Sequence, residues 1–143
     1  CLSNQNKLGE IFIILNRKIL AAILGSLLAA FIISIPYRFE GDLFFNMFYL
    51  NLMFTITYGV IVSIIGDWVS RQISEKLYIR EIISFLFHFC GGLPLNGVGL
   101  IPAILFFIVD RLLKKAKIGC LPVMIALLMV VLMFIILLNS WTE

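Results

Sequence analysis

Charge is what this sequence has least of. Asp, Glu, Lys and Arg together make up 13% of its 143 residues, about half the share in a soluble domain. A water-facing fold of this size needs more polar surface than that, so a soluble globular domain is excluded. Disorder is excluded too, because apolar side chains are too plentiful to stay unburied. Histidine occurs once, as His88, and the three cysteines (Cys1, Cys90, Cys120) have no CxxC spacing. That rules out a disulfide scaffold and leaves too few soft ligands for a metal centre. No GxSxG, HExxH, P-loop or GxGxxG motif is present. A serine nucleophile would have to use His88 as its base, with no acid at the same depth. We therefore expect no catalysis, cofactor or metal. The net charge is only +3 and the cations form no continuous face, so nucleic acid is not an expected partner.

What is abundant is apolar sequence. It makes up 62% of the chain and is concentrated in four uncharged runs: Ile19 to Ile35, Leu43 to Gly66, Ile82 to Val109 and Ile118 to Leu138. The first, second and fourth suit a membrane helix of about 20 residues. The third is too long and is interrupted by the glycine- and proline-rich stretch Gly91 to Gly99. Counting cations between the runs bears on its course. If it crosses once, the two sides carry 6 and 5 Lys and Arg residues; if it folds back, they carry 10 and 1. The positive-inside rule prefers the second arrangement. The expected fold is thus all-α, a polytopic membrane bundle of four to five segments in one domain. The segments lie near 19–35, 43–66, 79–93, 98–113 and 118–138. The 79–93 and 98–113 arms form a hairpin, either two short spans or a re-entrant loop, with a single span as the alternative. The N-terminus is expected in the cytoplasm and the C-terminus outside, in a plasma membrane. The expected partners are the lipid bilayer and either a second copy of the chain or another membrane protein.

Residues 1–18 contain an apolar stretch too short to span, followed at once by Asn16, Arg17 and Lys18. We expect an interfacial helix or a buried cap, with the tail of an upstream span lost by truncation as the alternative. Cys1 is either a lipid-modified mature terminus or the mark of a truncated chain, and the charge distribution favours truncation. Cys90 and Cys120 are expected to be buried free thiols. Glu40, Asp42, Asp67, Glu75, Glu81 and Asp110 flank the apolar runs and are expected to anchor helix ends at the interface. Arg80 and Arg111 are expected to snorkel there.

Inside the runs, Asn51, Thr55 and Tyr58 recur at i, i+4 and i+7, which puts them on one helix face. Such groups bond to neighbouring helices or line a path for a small solute. His88 is either a hydrogen-bonded structural histidine or a ligand-contacting, titrating group. Asn96 lies in the turn of the hairpin. Small residues at close-packing spacing (Gly25 with Ala29, Ser26 with Ala30, Gly59 with Ser63) let helices approach one another.

The segments Tyr58 to Asp67 (YGVIVSIIGD) and Phe106 to Lys115 (FFIVDRLLKK), with His88 between them, resemble an uncharacterised family of small multi-span membrane proteins from bacilli. The resemblance implies a bacterial plasma membrane, a basic cytoplasmic helix end at Phe106 to Lys115, and no known activity. This chain departs from it by adding Ile118 to Leu138. The function expected first is a non-catalytic accessory, interaction or immunity-type membrane protein. The alternative is a small transporter or channel subunit acting as an oligomer.

Overall fold

The computed structural model describes residues 2–38, 40–93, 99–114 and 118–140. The described residues are all-α, with five helices and no strand: α1 Leu2–Ser34, α2 Gly41–Ile73, α3 Leu77–Gly92, α4 Leu100–Leu113 and α5 Cys120–Ser140. Local chemistry sets the breaks. Pro36 cannot continue the α1 ladder, and the chain leaves through the short 3₁₀ turn Ile35–Tyr37 into Arg38, whose φ of 54° is left-handed. Ser74 is extended after α2, and its hydroxyl accepts the Lys76 N–H at 3.1 Å. Pro102 and Pro122 each fall in the first turn of their helices, where a proline's missing N–H removes no ladder bond.

The long apolar run therefore does break: α3 ends at Gly92 and α4 begins at Leu100. The two helices pack against each other through Phe85 and Phe107, whose ring centroids lie 5.3 Å apart. Where they converge, a Cβ added to Gly92 would meet the Gly99 carbonyl at 3.0 Å and the Ala103 side chain at 3.1 Å. With 16 and 14 residues, the arms reach about 24 and 21 Å.

Helix α1 is the centre of the bundle. Its face Ala21, Ala22, Gly25, Ser26, Ala29 and Ala30 carries only small side chains, and all six residues are buried. A Cβ on Gly25 would lie 3.1 Å from the backbone of Phe106, so α1 and α4 touch almost backbone to backbone. Ile23 and Ala30 pack on Phe48 and Leu52 of α2, with Ala126 and Val130 of α5 closing the cluster. Tyr49 donates to the Val130 carbonyl at 3.0 Å and stacks edge-on with Phe134. The small-residue spacing read from the sequence is used here as close helix packing.

Helix α1 runs unbroken through Asn16, Arg17 and Lys18, so residues 2–18 and the apolar run after them form one helix. One feature departs from the sequence reading. Cys90 and Cys120 are free but exposed, not buried. They belong to an outer surface that is itself apolar, where Met53, Trp68, Leu77, Tyr78, Leu112 and Leu121 are each 63–75% exposed. Two helical stretches, Gly9–Tyr37 and Gly41–Ile73, are long and apolar enough to cross a membrane.

Candidate functional site

In the middle of α2 the helix loosens. Val60 N–H reaches back to the Thr55 carbonyl, five residues away, and a π-turn occupies Thr55–Gly59. The widened turn holds Thr55 buried, and its hydroxyl accepts from Ser26 of α1 at 3.4 Å. Thr57 bonds back to the Met53 carbonyl at 2.7 Å. Opposite this turn the converging ends of α3 and α4 leave a cavity of about 160 Å³. Asn51, Thr55 and Tyr58 line it from α2, His88 and Gly92 from α3, and Pro102 and Phe106 from α4. The polar face read at i, i+4 and i+7 and the single histidine thus meet in one place. Asn96 lies outside the described residues.

His88 is buried at 3% exposure between the rings of Phe106 and Phe107. Its Nδ1 is 2.8 Å from the Ser84 carbonyl. A carbonyl only accepts, so Nδ1 carries the proton, and Nε2 of the neutral ring is left as an acceptor. Nε2 is buried without a hydrogen-bond partner among the described residues, and so is Nδ2 of Asn51, which is a donor. An unsatisfied buried polar atom costs about 1–3 kcal/mol. Here two such atoms, one acceptor and one donor, belong to residues lining the same small, mostly apolar cavity.

One end of the bundle holds what the sequence reading missed. Lys18 and Asp110 are each 1% exposed, and they form the inside of an ion-pair network joining four helices. Lys18 Nζ donates to Ser63 Oγ, to Asp67 at 2.8 Å and to Asp110 at 3.5 Å. Arg17 pairs with Asp110 at 2.8 Å. Arg111 pairs with Asp67 at 2.8 Å and Glu81 at 2.6 Å, and it lies over the Phe107 ring. Lys114 pairs with Glu81 at 2.8 Å. Ser84 Oγ donates to Asp67 at 3.0 Å and accepts from Arg111 at 2.6 Å. Asp67, Glu81, Asp110 and Arg111, expected at the helix ends as interfacial groups, thus do more than flank the apolar runs. They bind one another across helices, because a charge leaving water is tolerated only when it is paired and hydrogen-bonded. The signal available in the sequence was a charge at each run end on the same side of the hairpin, with ion-pair partners 30–93 residues apart. Searches against protein-family models, curated proteins and solved structures give no match to this chain.

Proposed function

We propose that this chain is a multi-pass membrane protein that binds a small, mostly apolar solute carrying one hydroxyl or amide group, without transforming it. Its place is a bacterial plasma membrane, as the resemblance to small membrane proteins of bacilli implies. The ion-pair end faces the cytoplasm, since the fold-back reading of the sequence puts ten of the eleven Lys and Arg residues on its side of the membrane. Five segments cross or enter the bilayer, with α3 and α4 as a short hairpin.

The observation that carries the solute reading is the pairing of an orphan donor, Asn51 Nδ2, with an orphan acceptor, His88 Nε2, on residues lining one 160 Å³ cavity. An engineered apolar cavity of about 150 Å³ accepts benzene. A solute of phenol's size and chemistry would fill this one and answer both polar atoms. Binding rather than catalysis follows from the commitments of the nearby groups. His88 Nδ1 is used by a backbone carbonyl, and Ser84 Oγ is used by Asp67 and Arg111. Of the two roles expected from the sequence, this favours the small transporter or channel subunit over the accessory or immunity-type protein. Transport through such short helices would need several copies, whereas binding needs one.

The test is calorimetric titration of the purified chain in detergent with phenol and with benzene. Wild type should bind phenol saturably and more tightly than benzene. Asn51→Leu should lower phenol affinity at least about fivefold, one hydrogen bond's worth, and leave benzene within error. No saturable phenol binding, or equal loss for both probes, contradicts the reading.

A further inference from the structure

A second cavity, of about 350 Å³, opens at the ion-pair end. It is lined by five cationic side chains, Arg17, Arg71, Arg80, Arg111 and Lys114, and by only two carboxylates, Asp67 and Glu81. Both carboxylates are already engaged: Asp67 by Lys18 and Arg111, and Glu81 by Arg111 and Lys114. Among the described residues neither Arg71 nor Arg80 has an ion-pair partner, and Arg80 Nε is buried with no hydrogen bond. A partly desolvated basin with this surplus of positive charge calls for an anion from outside the chain.

We propose that the basin is a binding site for a phosphate group. Guanidinium groups match phosphate oxygens in pairs, and such contacts are charge-assisted. Arg71 at the end of α2 and Arg80 at the start of α3 face the same space with free donors, while Arg17 uses only Nε on Asp110. The volume exceeds that of a phosphate alone, and Leu77 at the rim is 69% exposed. The site thus has room for a glycerol backbone beside the phosphate and an apolar edge for an acyl chain. Both a phospholipid headgroup and a free phosphate offer the required chemistry. Basic pockets between membrane helices are suited to anionic headgroups. This site is separate from the solute cavity and stands whether or not that cavity binds phenol.

The experiment titrates the full chain in detergent with three probes: dihexanoyl phosphatidylglycerol, the zwitterionic dihexanoyl phosphatidylcholine, and inorganic phosphate. We expect saturable binding of phosphatidylglycerol, at least about tenfold weaker in Arg71→Gln/Arg80→Gln and partly restored in Arg71→Lys/Arg80→Lys, which keeps the charge but not the paired contacts. The glutamine variant breaks no ion pair, so its melting midpoint should match wild type. If it does not, the charge-keeping lysine variant and suppression of wild-type binding by high salt give the readout. Phosphatidylglycerol binding that inorganic phosphate does not displace identifies a lipid headgroup. Binding of inorganic phosphate with the same arginine dependence identifies a free phosphate. Binding of no anionic probe, equal binding of phosphatidylcholine, or binding insensitive to both variants and salt overturns the proposal.

Discussion

Replacing Lys18 with methionine removes one charge and nearly preserves length. In the bundle Lys18 Nζ is the group that holds Asp67 and Asp110 together and also donates to Ser63. The substitution leaves Asp110 with Arg17 alone and Asp67 with Arg111 and Ser84. Removing one member of a buried pair typically costs 3–5 kcal/mol. Because both carboxylates keep a second cation, we expect the lower end, about 3 kcal/mol. Lys114→Met is the comparison: its side chain is 44% exposed and pairs only with Glu81, so it should cost about 0–1 kcal/mol. The assay is reversible unfolding of the purified chain in mixed micelles, followed by the emission of Trp68 and Trp141. A double-mutant cycle should find Lys18 coupled more strongly to Asp67, at 2.8 Å, than to Asp110, at 3.5 Å. If Lys18→Met cost less than about 1 kcal/mol, the value of an exposed pair, the network would not hold the helices as argued.

Three further outcomes follow from the packing. Gly25→Val should destabilise by about 1–3 kcal/mol, since its Cβ would meet Phe106 backbone at 3.1–3.2 Å; Gly9→Val, with nothing within 4 Å, is the control in the same unfolding assay. Tyr49→Phe should cost about 0.6 kcal/mol, a typical interhelical hydrogen bond, and should speed amide exchange in α5, which that bond to Val130 ties down. His88→Phe removes the Nε2 acceptor and should weaken phenol binding while sparing benzene, read by the same calorimetry.

The helical class and the break in the long apolar run were legible because both rest on local signals: uncharged length, and Gly91, Gly92 and Gly99 at the two helix ends. The shared face of Asn51, Thr55 and Tyr58 was legible from spacing, but its meeting with His88 needed the hairpin's tertiary position. The charge network was not legible, for a physical reason. Lys18 and Asp110 serve as boundaries when runs are measured by their lack of charge, yet α1 continues through Lys18 because Asp67 and Asp110 neutralise it. The exposed thiols of Cys90 and Cys120 were misread because burial is the rule in a water-soluble core, whereas here the outer surface is apolar too.

The proposed arrangement of the helices across a membrane is tested most directly by single cysteines in a background with Cys1, Cys90 and Cys120 replaced by alanine. Glu40, Glu75, Lys114 and Asn139 each take the cysteine in turn, and intact cells are treated with a membrane-impermeant thiol reagent. Lys114 pairs with Glu81 at the start of α3, so Lys114 belongs to the same end as Glu75. We predict that Glu40→Cys and Asn139→Cys label in intact cells, and that Glu75→Cys and Lys114→Cys label only after permeabilisation. Labelling of Lys114→Cys with Glu75→Cys protected would contradict the account, because it would separate α3 and α4 onto a single crossing and pull the ion-pair network apart.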